Sequence, residues 1–184
     1  MKELLRLAEK IEDRELRDKV ITLLKEIKLS NKNLNYKPLK LEESPAGYVG
    51  FEHHMEEGGL LTHTKNVTEL AIKIADFVEE RYYKVNRDFI IAGTLLHDLM
   101  RVFDFKKTRK GYKIVGKLLN HNELIASELY ARNFPEEVIY IVLRHVQPDI
   151  LLPEALIVYF ADTIDSHIDL YIKELIKTTL KVKK

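Results

Sequence analysis

Apolar residues recur at spacings of three and four along most of the chain. Leu4, Leu7, Ala8 and Ile11 form one stripe and Leu16, Val20, Leu23, Leu24 and Ile27 a second. These stripes predict either one long helix or two short ones broken near Glu12 to Glu15. From Leu29 to Gly50 the period disappears and Ser, Asn, Pro and Gly accumulate, as in a plain connector or a lid over a binding site. Val67, Leu70, Ala71, Ile74, Ala75 and Val78 then mark a strongly amphipathic helix. His63 lies four residues before Val67 and therefore falls on its buried face. Phe89 to Leu96 is an almost unbroken apolar run. A helix with no solvent face sits in the middle of its domain, so this run delivers the two polar residues at its end, His97 and Asp98, to the interior.

After it, 102–106 and 112–115 flank a Lys-rich turn ending in Gly111, which predicts a small two-stranded hairpin. Three more helices follow, and each carries a polar residue within its apolar stripe. In 120–132 the stripe is His121, Leu124, Ile125, Glu128 and Leu129; in 135–146 it is Val138, Ile141, Val142 and His145, with Pro135 suited to a first helical turn; in 153–166 it is Ala155, Val158, Tyr159 and Asp162. There is no internal repeat. The fold class expected is all-α, a helical bundle with a minor β-hairpin near residues 102–116. Residues 1–45 form an N-terminal helical segment and long loop, residues 46–184 the main body, and the two together one compact domain.

Charge narrows the range of partners. Thirty basic and 29 acidic side chains leave a formal charge of +1, without the basic stripe of a protein that holds long nucleic acid. The basic cluster Lys181 to Lys184 reads as a solvated end. The absence of cysteine excludes disulfides, thiolate metal sites and cysteine nucleophiles together. No run approaches the roughly 18 apolar residues of a membrane span. The N-terminus reads as the start of an amphipathic helix rather than a signal peptide, so the expectation is a cytoplasmic protein with no membrane partner.

The inward-facing polar residues are His63, His97, Asp98, His121, His145 and Asp162. Each alone has an ordinary explanation as a satisfied core residue or a cap. Together they are four of the chain's seven histidines and two aspartates, and buried polar groups need partners. A divalent metal centre supplies them. With nitrogen and oxygen donors and no sulfur, Mn, Fe, Co, Ni or Zn are the candidates, as one ion or two.

The succession of a histidine, then His97-Asp98 at the end of an apolar helix, then a distant aspartate resembles the HD superfamily of metal-dependent phosphohydrolases. The similarity runs from about Ala46 to Asp169. It is closest in wording to the HD domain of bacterial 3′–5′ exoribonucleases, which carry a segment like His53-His54…Gly58-Gly59-Leu60…His63-Thr64 and an ending like Tyr159-Phe160-Ala161-Asp162…Asp165. The resemblance implies that His63, His97, Asp98 and Asp162 hold one ion. Asp98 bridges to a second ion held by His121 and His145, and orients a metal-bridging hydroxide that attacks phosphorus.

Many relatives follow His-Asp with Gly and a phosphate-contacting Lys. Here Leu99, Met100 and Arg101 stand in that place, so Arg101 either takes the phosphate role or is a surface arginine. His53 and His54 either line the pocket as substrate-binding residues or form a polar loop pair; His167 is expected on a helix surface. The implied substrate is a small phosphate ester, a cyclic nucleotide-like or pterin cyclic phosphate. A nucleoside monophosphate or short RNA is the alternative, and a non-catalytic metal- and nucleotide-binding sensor the reading from another class. A homo-oligomer is compatible with all of these.

Overall fold

The computed structural model describes residues 1–147 and 151–182. Two short helices open the chain, α1 over Lys2–Ala8 and α2 over Arg14–Lys25. The break comes earlier than Glu12 to Glu15 because Asp13 caps α2. Its carboxylate accepts the Leu16 N–H at 2.8 Å, which lets Arg14 and Glu15 join the helix. Asp88, far along the chain, accepts the N–H groups of Glu12 and Asp13 at 2.9 and 2.8 Å and so ties the turn to the body. Leu4, Leu7, Val20 and Leu24 share one apolar cluster with Leu95, Leu96 and Leu99. The first two stripes thus pack on their own chain.

The aperiodic stretch runs as a strap bonded along its length. Ser30 donates its N–H and hydroxyl to Glu128, the Leu39 N–H donates to the Val102 carbonyl at 2.8 Å, and Leu41 is buried in a 3₁₀ turn, Leu41–Glu43. Beyond it the chain makes a tight turn in which Tyr48 and Phe51 exchange backbone hydrogen bonds of 3.1 and 3.0 Å, with Gly50 at φ +91°.

Helix α3 spans Gly59–Arg81 and α4 spans Arg87–Leu96, the latter capped by the Asn86 side chain on the Phe89 N–H. Every residue of α4 from Ile90 to Leu96 is buried, as its lack of a polar face requires. It lies against α1, α2, α3, and also α6 (Glu136–Arg144) and α7 (Pro153–Val182). At the α4–α6 crossing a Cβ on Gly93 would come within 2.4 Å of Ile141 Cγ2, so only glycine allows that approach.

A 3₁₀ turn, Leu99–Phe103, follows α4, with all five residues buried. The hairpin is β1, Phe105–Thr108, paired antiparallel with β2, Gly111–Ile114, placing Phe105 opposite Ile114 and Thr108 opposite Gly111. Val102 and Phe103, expected in the first strand, coil into the core instead. Helix α5, His121–Ala131, starts behind a capping box formed by Asn120 and Glu123. Pro135 sits at the cap of α6 rather than within its first turn.

Helix α7 is 30 residues long, far beyond the Ser166 at which its inward stripe ends. Its second half exposes Ile168, Tyr171, Ile172, Leu175 and Ile176. It is held near the body by Lys173, which pairs with Asp169 at 2.7 Å and with Glu56 at 3.0 Å. Of the basic cluster, Lys183 and Lys184 lie outside the described residues. Among the described residues no helix is long and apolar enough to cross a membrane.

Candidate metal centre

Three helix ends and two helix faces converge beside the C-terminus of α4. His63 comes from the second turn of α3, His97 is the C-cap of α4 and Asp98 follows it. His121 is the first residue of α5, His145 the C-cap of α6, and Asp162 lies on α7. His63 Nε2 is 3.3 Å from His97 Nε2, 3.1 Å from Asp162 Oδ1 and 3.7 Å from Asp98 Oδ2. His97 Nε2 is 3.8 Å from Asp98 Oδ2 and 4.0 Å from Asp162 Oδ1. The other carboxylate oxygen, Asp98 Oδ1, is 3.2 Å from His121 Nε2 and 3.5 Å from His145 Nε2.

The outer nitrogen of each imidazole is already committed. His97 Nδ1 donates to the Thr94 carbonyl and His145 Nδ1 to the Val142 carbonyl, both at 2.7 Å. His63 Nδ1 donates to Asp165 Oδ2 at 2.7 Å, and His121 Nδ1 faces Asp104 Oδ2 at 3.3 Å. With the protons outside, the four Nε2 lone pairs point inward at one another and at carboxylate oxygens. Facing acceptors repel, and a cation between them reverses the sign. Asp98 Oδ1 and His121 Nε2 are buried with no hydrogen-bond partner. The donor set therefore fits a divalent ion with nitrogen and oxygen ligands. Among the described residues two triads inside this cluster could hold one, His63 with His97 and Asp98, and Asp98 with His121 and His145; two more lie beside it, His53 with His54 and His63, and His54 with Glu56 and Asp169.

The proton equilibria of the bare cluster follow from the same geometry. Burial pushes His97 down to about 4. Burial also opposes charge on His63, but hydrogen bonds to Asp162 and Asp165 outweigh it and raise that imidazole to about 9. Asp98, although burial acts to raise it, is held well below the usual carboxylate range by Arg101 and the neighbouring histidines.

Arg101 is buried, which removes the surface alternative. The 3₁₀ turn carries it back so that Nε lies 2.6 Å from Asp98 Oδ2 and Nη1 lies 3.8 Å from Asp104 Oδ2. His53 is buried with its ring centroid 4.8 Å from that of His63, and its Nδ1 has no partner. Burial pushes it down to about 3, so it is neutral. His54 is buried at φ +43°, with Nε2 2.9 Å from Asp165 Oδ2. His167 is exposed, its ring 5.1 Å from that of Phe51.

Two residues of the site have no role assigned from sequence. Asp165 receives His63 and His54 on one oxygen and the Asn66 amide on the other at 2.9 Å. It stands one helical turn beyond Asp162, a spacing that could have flagged it. Asp104 faces His121, Arg101 and Lys117. It has no periodic signal, because it lies between a 3₁₀ turn and a strand.

Residues 60–166 match the family model of the HD domain. The chain belongs to the HD domain family. HD domains are metal-dependent, and the protein is an HD-type phosphohydrolase. Over 180 residues it is 43% identical to the dihydroneopterin 2′,3′-cyclic phosphate phosphodiesterase of Methanocaldococcus jannaschii, an alignment covering 92% of this chain and 70% of that protein. It is also similar to the 3′-5′ exoribonuclease YhaM of Listeria innocua, at 34% identity over 100 residues, 51% of this chain and 30% of the relative. The YhaM of Bacillus subtilis is 35% identical over 78 residues, 42% of this chain and 24% of the relative. The chain thus spans less than a third of those two exoribonucleases. No solved structure matches.

Proposed function

We propose that this HD domain hydrolyses a small cyclic phosphodiester, a pterin or nucleoside 2′,3′-cyclic phosphate, using two divalent transition-metal ions. The observation that supports the substrate class is the similarity, across nearly the whole chain, to a cyclic phosphate phosphodiesterase. The two exoribonucleases are similar over about half of the chain or less.

His63, His97, Asp98 and Asp162 would hold the first ion, and Asp98, His121 and His145 the second. The second set has one donor fewer and holds its ion less tightly. When bound, such a pair supplies an acidified water and neutralises charge growing on the phosphoryl oxygens. The chain supplies the rest. Asp98 offers one oxygen to each half of the site. Arg101 sits against it with a planar fork of donors suited to phosphoryl oxygens. His53, neutral and with a free ring nitrogen, lies close enough to His63 to hydrogen-bond the ester, and His54 braces Asp165 behind it.

Asp165 and Asp104 act from behind, fixing the tautomer and angle of His63 and His121. Asp165→Asn is expected to lower affinity for the first ion about 10–100-fold, read by competition against a fluorescent chelator. An unchanged affinity would reduce Asp165 to packing.

The functional test uses purified protein loaded with Mn, Fe, Co, Ni or Zn singly. Substrates are bis-p-nitrophenyl phosphate, p-nitrophenyl phosphate, 2′,3′-cyclic nucleotides and short RNAs of graded length. Turnover of the diesters is the expected result. Monoester turnover alone would make the protein a phosphatase. Cleavage that depends on RNA length would make it a nuclease, and bound metal without any turnover would make it a sensor.

A further inference from the structure

We infer that a hollow beside the metal centre, walled by Tyr48, Phe105, Leu118 and Leu119, seats a planar heteroaromatic group carried by the phosphodiester. The enzyme would then select heterocyclic esters over bare ones. This rests on the phosphodiesterase reading and deepens it.

Position is the first argument. The hollow includes Asp104, which faces both His121 and Arg101, and Asn120, which immediately precedes His121. The Tyr48 ring also lies over the Arg101 guanidinium, 5.7 Å from ring centroid to Cζ. A phosphoryl group held by Arg101 is therefore within one residue of this hollow.

Size and lining are the second. The hollow encloses about 220 Å³, below the roughly 300–1,000 Å³ typical of drug-sized ligands. That suits a single flat ring system and not a run of nucleotides. Its walls are aromatic and aliphatic, yet Tyr48 is 50% and Leu118 98% exposed. Apolar side chains left open around one mouth gain burial when a flat ligand enters. At the polar side the Lys117 ammonium is held between Asp104 Oδ1 at 2.5 Å and the Leu119 carbonyl at 3.1 Å. With two of its three N–H groups so engaged, it keeps a third as a donor for a ring carbonyl or ring nitrogen.

Rigidity is the third. Tyr48 is carried on the tight turn closed by Phe51. That turn is pressed against the histidine segment, since a Cβ on Gly47 would come within 2.5 Å of the His53 carbonyl oxygen. A pre-set aromatic wall costs little ordering on binding.

The test separates ring from phosphate. Neopterin 2′,3′-cyclic phosphate carries both, ethylene glycol cyclic phosphate lacks the ring, and neopterin lacks the phosphate. Neopterin binding is followed by its own fluorescence in a protein without tryptophan. Expected in metal-loaded wild type is a kcat/KM at least 100-fold higher for the neopterin ester than for ethylene glycol cyclic phosphate. In Tyr48→Ala and Leu118→Asp that ratio falls at least tenfold, mainly through KM, and neopterin affinity falls at least tenfold as well. Unchanged ratio and affinity in both variants, or no neopterin binding to wild type, would overturn the pocket. If neither ester is hydrolysed while neopterin binding still depends on Tyr48, the pocket stands and the phosphodiesterase reading falls.

Discussion

Asp98→Ala abolishes phosphodiester turnover and empties both halves of the metal site together: this is the largest effect expected of any single change. Asp98 is within 4 Å of all four histidines, with Oδ2 at 3.7 and 3.8 Å from His63 and His97 and Oδ1 at 3.2 and 3.5 Å from His121 and His145. Removing it takes away the negative charge that both sets share. It also leaves Arg101, buried and 2.6 Å from the lost carboxylate, with only Asp104 at 3.8 Å as a charge partner. Removing one partner of a buried ion pair costs about 3–5 kcal/mol, so some of the damage is to folding. Asp98→Asn keeps the shape and isolates the charge. Turnover is expected to fall at least about 1,000-fold in either variant, equivalent to about 4 kcal/mol of transition-state stabilisation. Metal per chain, measured on folded protein, is expected to fall with it. Full metal content with retained turnover would remove Asp98 from the centre.

The second large effect is on stability. Stripping the metal leaves the lone pairs of His97, His121 and His145 and two carboxylates facing one another in a buried space, offset only in part by the proton that His63 takes up. Binding at about 100 times Kd contributes roughly 2.7 kcal/mol. At about 2–4 °C per kcal/mol for a chain of this size, thermal unfolding is expected to drop by roughly 5–10 °C on chelation and to recover on reloading. A melting temperature indifferent to chelator would mean the convergence is held by hydrogen bonds alone.

The loss also depends on pH. In the bare site His63 is raised from 6.5 to about 9. Its proton stands in for the cation, and that contribution is complete below about 6.5 and lost as pH rises through 9. Metal, by contrast, competes with this proton and binds better as pH rises. The gap in melting temperature between loaded and stripped protein should therefore widen from pH 6.5 to 9. A constant gap over that range would argue against His63 carrying the proton in the bare site.

Sequence alone determined the helices and which of their polar residues face inward. Periodicity assigns each side chain to a face, so His63, His97, Asp98, His121, His145 and Asp162 were legible as one inward set before any contact was known. The order of the motif residues, a histidine, then His97-Asp98, then a distant aspartate, carries the resemblance to the HD family. Periodicity cannot say what stands across from a face, because that depends on how far each helix slides and at what angle it crosses its neighbour. Only the tertiary structure decided that Asp165 and Asp104 back the histidines, and that Glu128 anchors the strap at Ser30 instead of joining the centre. Arg101 was undecidable from its own stretch: its burial follows from Leu99, Val102 and Phe103 finding core contacts, which coils the backbone and folds the guanidinium back onto Asp98. Helix α7 shows the converse limit. Apolar residues at helical spacing, Ile168, Ile172, Leu175 and Ile176, continue beyond Ser166, and only the tertiary structure shows that this part of the helix runs past the core and is exposed.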